Sequence, residues 1–184
     1  MVSRELFLGW ETRPRQRWTA LRISLLRLSL LAVALSVSSA VAGEVQIVGR
    51  ASVIDGDTIE IRGERIRFNG IDAPEGRQLC NDARGKPYRC GQAAALALDD
   101  YLAASRPTRC IMVDRDRYKR MVADCYRADG QSVAAWLVRN GHALDWPRYS
   151  KRRYADDQAA AERDGAGMWR GRFIEPWKWR KGAR

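Results

Sequence analysis

Residues 53–59 read VIDGDTI and residues 66–75 read IRFNGIDAPE, and these two stretches determine most of what the sequence predicts. In each, apolar residues typical of strands lead into a turn dipeptide, Asp-Gly or Asn-Gly, which tolerates the positive φ of tight turns. We therefore expect β-strands that meet at turns. Three carboxylates and one arginine then lie within reach of one site: Asp57, Asp72, Glu75 and Arg67. This combination suits a hard cation and a phosphate group.

The pattern around these stretches predicts a small barrel. Apolar residues largely alternate with polar ones in 43–54, as in a half-buried strand, and strands at 58–61 and 65–68 complete a three-stranded meander. A second β-pair and three helices follow: strands 108–113 and 121–126, and helices 91–104, 133–138 and about 153–164. Ser132 can cap the second helix. The order β-β-β-α-β-β-α-α predicts an α+β fold that is mainly β, a five-stranded OB-type Greek-key barrel with three α-helices.

The first 42 residues have the composition of a secretory signal peptide. An arginine-rich start precedes the apolar run 28–37, and small residues at 40–42 form a cleavage signature. The apolar run is shorter than the ~20 residues of a membrane-spanning helix. We expect cleavage before Gly43 and a secreted or periplasmic protein, with an uncleaved anchor as the less favoured alternative. The predicted organisation is a signal peptide at 1–42, a domain at 43–172 and a basic, tryptophan-rich tail at 173–184.

The net charge favours a polyanionic partner. The whole chain carries +11, and removal of residues 1–42 takes away six arginines and two glutamates, which leaves +7. The remaining 142 residues have the size of one domain with a single core. A basic surface favours nucleic acid, although charge alone does not identify it.

All four cysteines follow the predicted cleavage site, and an even number in an exported protein indicates disulfides. Three connectivities are open. We favour Cys80 with Cys90, which closes a loop, and Cys110 with Cys125, which joins the strands of the second β-pair. A zinc site of four cysteines is the alternative, but the spacings contain no C-x2-C pair.

Hydrolysis of a phosphodiester requires an activated water and stabilisation of negative charge on the phosphoryl oxygens. Asp57, Asp72 and the main-chain carbonyl of Ala73 are hard oxygen donors of the kind that Ca²⁺ prefers, so we predict them as metal ligands. Glu75 follows Pro74, whose fixed φ helps to set its direction. Glu75 is therefore our candidate for the general base.

Two arginines are predicted to act on the phosphate. Arg67 can offer it two parallel N–H donors. A second arginine is expected from the other β-pair, where Arg120 follows Tyr118 and Lys119. We predict Arg67, Glu75 and Arg120 as the catalytic residues, and Tyr118 and Lys119 as contacts to the substrate.

The motifs resemble those of the staphylococcal nuclease-like, or thermonuclease, family. The matching segments recur in the family's order and cover nearly all of the chain after residue 42: DGDT at 55–58, the stretch 66–75, YKR at 118–120, LVRNGHA at 137–143 and GMW at 167–169. The resemblance implies an OB-fold barrel with three helices. It also implies Ca²⁺-dependent cleavage of DNA and RNA at the 5′ side of the phosphate, leaving 3′-phosphates. At the matched positions the resemblance implies the metal ligands and the catalytic residues that we predict above from the residues themselves. It also implies that Tyr118 lies near the nucleotide phosphate.

One position departs from the family pattern. Lys119 stands where the family often has glycine, between Tyr118 and Arg120. If that position requires a positive φ, Lys119 is strained or the turn is rebuilt. The nearby Arg115 and Arg117 are therefore alternatives to Arg120 as the second catalytic arginine.

The leading hypothesis is an exported, monomeric, Ca²⁺-dependent endonuclease that acts on DNA and RNA. One alternative is a non-catalytic, nucleic-acid-binding OB-fold module of the cell envelope, and another is an envelope assembly factor with neither activity. Binding modules that resemble this family usually lack part of the set of carboxylates and arginines, which is complete here. The preferred nucleic acid and the biological role stay open at this point.

Overall fold

Ten short strands make up the β-structure of the protein, which a computed structural model describes over residues 43–183. The predicted signal peptide, residues 1–42, lies outside the described residues. The strands are β1 (Gln46–Gly49), β2 (Ser52–Asp55), β3 (Thr58–Ile61), β4 (Glu64–Phe68), β5 (Ile71–Asp72), β6 (Cys80–Asn81), β7 (Pro87–Tyr88), β8 (Thr108–Arg115), β9 (Met121–Tyr126) and β10 (Leu144–Asp145).

Six of these strands form one curled sheet in the order β1-β8-β9-β4-β3-β2. The meander β2-β3-β4 is antiparallel, whereas β4 pairs with β9 in parallel. The predicted first strand is in fact two strands, β1 and β2, which form the two edges of the sheet. Because only Arg50 and Ala51 connect them, the two edges lie close together and the sheet curls into an OB-type barrel. The main sheet therefore has six strands rather than the predicted five, because the chain crosses from one edge of the sheet to the other between β1 and β2.

The helices cover the barrel. They are α1 (Cys90–Ala103), α2 (Val133–Arg139), α3 (Pro147–Ser150), α4 (Ala155–Arg163), a 3₁₀ helix (Gly167–Arg170) and α5 (Pro176–Trp179). The three predicted helices correspond to α1, α2 and α4. The predicted cap of α2 is confirmed, since Oγ of Ser132 accepts the N–H of Ala135 at 3.3 Å. Among residues 43–183, no helix has the length and apolar character needed to cross a membrane.

The larger of two hydrophobic clusters in the described residues lies between the sheet and the helices α1 and α2. Its fully buried side chains include Ile59, Ile61, Ile66, Phe68, Leu98, Leu137 and Val138. Successive side chains of a strand point to opposite faces. Because Ile66 and Phe68 of β4 face the core, Arg67 between them points away from it. The strand therefore presents Arg67 on the face that carries the polar site.

The structure contains the two disulfides favoured from the sequence, Cys80–Cys90 and Cys110–Cys125. Cys110 lies directly opposite Cys125 in the β8–β9 ladder. Cys80–Cys90 joins β6 to the first residue of α1. No described cysteine is free. Each bridge closes a short loop, which typically contributes about 2 to 4 kcal/mol to stability.

The segment predicted as a tail, residues 173–184, is folded against the domain over its described part. Nε2 of the fully buried Gln78 donates to the carbonyl of Ile174 at 2.6 Å. Helix α5 follows, and the indole of Trp177 stacks on that of Trp146 with ring centroids 6.0 Å apart. The C-terminal segment is thus attached to the domain by a buried amide and by an aromatic pair.

Candidate active site

A tight turn between β2 and β3 positions Asp57. Oδ1 of Asp55 accepts the backbone N–H of Asp57 at 3.1 Å, and the carbonyl of Asp57 accepts the N–H of Phe68 at 3.0 Å. A Cβ on Gly56 would lie 2.8 Å from the Cβ of Ala73. Glycine therefore lets this turn approach the second acidic stretch more closely than any other residue would.

The turn after β4 brings Asp72 to the same place. Gly70 has φ +78° at this turn, and Asp72 then enters β5, where it pairs with Leu144 of β10. The N–H of Ala73 donates to Oδ2 of Asp57 at 3.1 Å. The structure therefore brings together the three residues predicted as metal ligands.

Arg67 lies between the two aspartates. Its Nη1 donates to Oδ1 of Asp57 at 2.9 Å. Its Nη2 lies 2.8 Å from Oδ2 of Asp57 and 2.6 Å from Oδ1 of Asp72. One planar guanidinium thus forms a two-pronged contact with Asp57 and a further contact with Asp72, and its orientation is fixed by both.

Burial dominates the electrostatics of these groups. Asp57 is 4% exposed and Asp72 is 0% exposed. Burial raises the pKa of each carboxyl, and the opposing effects of Arg67 on Asp57 and of Arg180 on Asp72 do not cancel it. Burial also disfavours the charge of Arg67, but the two aspartates outweigh this and raise its pKa. A nearby cation favours the ionised form of such a buried carboxyl group. Carboxyl groups with raised pKa values are common at functional sites.

Glu75 lies at the rim of the site. Its side chain is 37% exposed, so water reaches it. Its N–H donates to Oε1 of Gln78 at 3.3 Å, and its carbonyl accepts the N–H of Gln78 at 2.7 Å. A Cβ on Gly91, at the start of α1, would overlap the carbonyl oxygen of Glu75. A buried glutamine and a glycine therefore fix the backbone at Glu75, and neither was identified from the sequence.

The structure adds one residue to the site that the sequence analysis missed, Arg180. Its Nη1 lies 3.0 Å from Oδ1 of Asp72 and 2.7 Å from Oε1 of Glu75, and its Nη2 lies 2.7 Å from Oδ2 of Asp72. The guanidinium also lies over the indole of Trp146, 5.4 Å from the ring centroid. Arg180 directly follows α5, so the folding of the C-terminal segment brings its guanidinium to Asp72 and Glu75. The only signal for it in the sequence is the alternation of tryptophan with basic residues after residue 173.

Arg120, Tyr118 and Lys119 lie in the turn between β8 and β9. Nε of Arg120 donates to Oδ2 of Asp116 at 2.7 Å. The guanidinium of Arg120 also lies 5.6 Å from the ring of Tyr118, a residue that is 64% exposed. Lys119 has φ +67°, the conformation that a glycine would adopt most easily. The contacts found for Arg120 within residues 43–183 thus lie in its own turn, and its catalytic role stays a prediction.

The two alternatives to Arg120 have partners at the same turn. Nη1 of Arg115 lies 2.7 Å from Oε1 of Glu64 and 3.0 Å from the carbonyl oxygen of Lys119. The guanidinium of Arg117 lies 4.9 Å from the centroid of the Tyr118 ring. Neither contact favours one of these arginines over Arg120 as a phosphate ligand.

The donor atoms of the site suit a hard divalent cation. Asp57, Asp72 and the carbonyl of Ala73 form an all-oxygen set, which water completes in typical Ca²⁺ sites. Within residues 43–183, no group of three or more histidine, cysteine, aspartate or glutamate side chains is arranged as a metal site. Both oxygens of Asp72 contact the guanidinium groups of Arg67 or Arg180, so a cation would bind to the same atoms as these arginines.

A cavity of about 460 Å³ lies beside the site rather than in it. Its lining includes Pro74, His142 and Arg170, but none of the side chains predicted as metal ligands or catalytic residues. His142 stacks on Trp136 with ring centroids 5.6 Å apart, and burial lowers its pKa. The single histidine is therefore a packed side chain rather than a proton donor of the acidic site.

The curled barrel, with two buried aspartates that share one guanidinium, defines the class of protein: an OB-type barrel with a cluster of buried charged groups. The family model described as "Staphylococcal nuclease homologue" matches residues 65–171. The chain belongs to the staphylococcal nuclease-like family. The matched range includes Arg67, Asp72, Glu75 and Arg120, whereas Asp57 precedes it.

Of three similar curated proteins, two carry nuclease names and one is named for a different role. "Succinoglycan biosynthesis protein ExoI" of Rhizobium meliloti (strain 1021) is 53% identical over 142 residues, which are 77% of this chain and 74% of that protein. An "Uncharacterized endonuclease" of Escherichia coli O157:H7 is 32% identical over 134 residues, 70% of this chain and 80% of that protein. "Probable staphylococcal-like nuclease CAN2" of Oryza sativa subsp. japonica is 31% identical over 130 residues, 70% of this chain but only 32% of that protein.

Proposed function

We infer that this protein is an exported, Ca²⁺-dependent nuclease that hydrolyses phosphodiester bonds of DNA and RNA at the 5′ side of the phosphate and leaves 3′-phosphates. The single observation that carries the proposal is the contact of Arg67 with both Asp57 and Asp72, at 2.8 and 2.6 Å. In this contact a guanidinium, which is a group able to bind a phosphate, lies beside the carboxylates of two buried aspartates. Family membership and the endonuclease names of relatives support a phosphodiester as the substrate.

The residues divide into roles by their burial. Asp57 and Asp72, which are nearly inaccessible to bulk water, are the proposed cation ligands together with the carbonyl of Ala73. A bound Ca²⁺ supplies polarisation of a phosphoryl oxygen. Arg67 donates N–H groups to the equatorial oxygens, where negative charge develops, once the substrate and the cation replace part of its contacts with the two aspartates. Glu75 is the one carboxylate of the set with substantial exposure, and it accepts the proton of the attacking water.

The strand register supports Arg120 as the second phosphate-binding arginine. β9 runs parallel to β4, with Met121 beside Ile66 and Val122 beside Arg67. Met121 and Ile66 are both buried, so their side chains face the core. Arg120 directly precedes Met121 and therefore emerges on the face of the sheet that carries Arg67. To bind a phosphate at Arg67, Arg120 exchanges its contact with Asp116 for the substrate, and the neighbouring Tyr118 and Lys119 are proposed substrate contacts.

Export is part of the proposal because the fold contains two disulfides. Such bridges form and persist in oxidising compartments such as the periplasm or the medium. We propose that residues 1–42 are removed as a signal peptide and that the processed protein is a monomer. Mass spectrometry of the protein from a secreting host tests this, since the proposal requires an N-terminus at Gly43.

The function is tested by incubating the protein with plasmid DNA and with RNA, in Ca²⁺ or in excess chelator. The proposal expects both substrates to be degraded with Ca²⁺ and neither with chelator. A polymerase should extend the DNA products only after phosphatase treatment, because a 3′-phosphate blocks extension. DNA binding that weakens with salt but is never followed by cleavage would instead support the alternative, a non-catalytic OB-fold binding module.

A further inference from the structure

The C-terminal segment places a positive charge on the carboxylates that the proposed function assigns to a cation and to a general base. Arg180 contacts both oxygens of Asp72, at 3.0 and 2.7 Å, and one oxygen of Glu75, at 2.7 Å. The family match ends at residue 171, so Arg180 lies outside it. One guanidinium therefore bridges two groups that the proposed reaction uses separately.

The charges around Asp72 explain why this contact is stable. Asp57, Asp72 and Glu75 carry three negative charges if all are ionised, and Arg67 supplies one positive charge. Asp72 is fully buried, so water does not screen it. The guanidinium of Arg180 opposes the rise in the pKa of Asp72 that burial causes. Arg180 thus supplies part of the charge that a divalent cation would otherwise supply.

A divalent cation at Asp72 would meet the guanidinium of Arg180, and that of Arg67, at contact distance. Two cations at one oxygen repel each other strongly when the site is buried, because the local dielectric screening is weak. The side chain of Arg180 is 34% exposed, so it has a path towards solvent. Asp72 has none.

The segment stays attached to the domain without the contact between Arg180 and Asp72. The side chain of Gln78 donates a hydrogen bond to the carbonyl of Ile174, and Trp177 stacks on Trp146. These contacts are made by residues that precede Arg180 in the chain, although its guanidinium also lies over the ring of Trp146. Arg180 can therefore leave Asp72 while the rest of the segment remains in place.

We propose that Arg180 and a divalent cation compete for Asp72, so that Arg180 sets the affinity of the site for the cation. The proposal rests on the cation site of the proposed function. Cation binding displaces the guanidinium, and removal of the guanidinium strengthens cation binding. In the absence of a cation, Arg180 keeps the carboxylates of Asp72 and Glu75 paired.

The test is isothermal titration calorimetry with Ca²⁺ on the protein and three variants. Arg180→Gln removes the competing charge, and Arg180→Lys keeps a charge but loses the planar fork. Lys178→Gln is the matched control, because Lys178 also carries one charge on the C-terminal segment but pairs with Glu175 at 2.7 Å. Circular dichroism and urea unfolding verify that each variant is folded.

We expect Arg180→Gln to bind Ca²⁺ at least about tenfold more tightly than the unmodified protein, with Arg180→Lys in between. Lys178→Gln should stay within about twofold, because an exposed charge acts weakly. If Arg180→Gln binds no more tightly than Lys178→Gln, or binds no Ca²⁺, the competition does not exist. If Arg180→Gln does not fold, tighter binding by Arg180→Lys than by Lys178→Gln supports the proposal and equal binding overturns it.

The calorimetric result does not depend on catalysis. Ca²⁺ binding that is strengthened by Arg180→Gln, in a protein that cleaves neither DNA nor RNA, would contradict the proposed function and support the competition. If cleavage depends on Ca²⁺ but Arg180→Gln leaves the affinity for Ca²⁺ unchanged, the result would support the proposed function and contradict the competition.

Discussion

Nη2 of Arg67 lies 2.6 Å from Oδ1 of Asp72, five residues later in the chain. The turn after β4 produces this contact, because Asn69 and Gly70 reverse the chain between the strand that carries the arginine and the strand that carries the aspartate. The same guanidinium reaches Asp57 from the preceding turn. Arg67 is therefore held in one orientation by groups on two turns, and a two-pronged contact with a phosphate requires it to exchange part of these contacts for the substrate.

Arg67→Lys should lower kcat for DNA cleavage by about 10² to 10³, because an ammonium keeps the charge but loses the parallel donors. The measurement is steady-state cleavage of a fluorescent oligonucleotide at saturating Ca²⁺. Arg65→Lys is the matched control on the same strand. Arg65 is exposed and its only ion pair found in the described residues, with Glu60, is long at 3.9 Å. Equal rates for the two variants would show that Arg67 is a structural residue alone.

Gly91→Ala should disturb Glu75 although Gly91 is far from it in sequence. Alanine is intrinsically better than glycine inside a helix such as α1, but its Cβ would overlap the carbonyl oxygen of Glu75. We expect kcat to fall by about 10 to 100-fold through misplacement of Glu75. Gly76→Ala should have little effect, since nothing lies within 4 Å of its added Cβ. A Gly91→Ala protein with full activity would mean that the backbone at Glu75 is not fixed by α1.

Lys119→Gly should raise the free energy of unfolding by about 1 kcal/mol, because Lys119 has φ +67° and glycine adopts that conformation without steric cost. Lys119→Ala is the control that removes the side chain but keeps the strained backbone. Urea denaturation of the three proteins measures the difference. If both variants have the same increase in the free energy of unfolding, the effect comes from loss of the lysine side chain and not from the positive φ.

His142 should make the protein less stable as the pH falls from 7 to 5. Burial lowers its pKa below the ordinary value of 6.5, with a smaller contribution from Arg170. The unfolded chain therefore takes up a proton at a higher pH than the folded protein does, and stability is lost as the pH falls from about 6.5 towards the folded pKa.

The check is urea denaturation of the protein and of His142→Gln at both pH values. The variant should lose less stability than the unmodified protein over this interval. Parallel losses in the two proteins would show that His142 titrates alike in the folded and unfolded chains.

Local signals in the sequence were sufficient for the acidic side of the site. Asp57, Arg67 and Asp72 lie on neighbouring strands and turns, so the alternation of apolar residues and the glycine-containing turns predict that they converge. The same holds for Cys110 and Cys125, which a single hairpin brings opposite each other. Predictions of this kind succeed because strand pairing and turn geometry act over short distances along the chain.

Two features could not be predicted in this way. Arg180 lies 108 residues from Asp72, and the packing of the C-terminal segment against Gln78 and Trp146 directs it to the site. The division of residues 43–54 into β1 and β2 depends on closure of the barrel, since both strands have the same alternating burial pattern. In each case tertiary packing decides between arrangements that the local pattern allows equally.

The most direct test of the account compares the protein with Glu75→Gln in Ca²⁺-dependent cleavage of DNA. Glu162→Gln, an identical chemical change at an exposed position of α4, serves as the control. The account predicts that Glu75→Gln lowers the rate by about 10² to 10⁴ while the control and the affinity for DNA are unchanged. Cleavage by Glu75→Gln at the rate of the unmodified protein, or no Ca²⁺-dependent cleavage by the unmodified protein, would contradict the account.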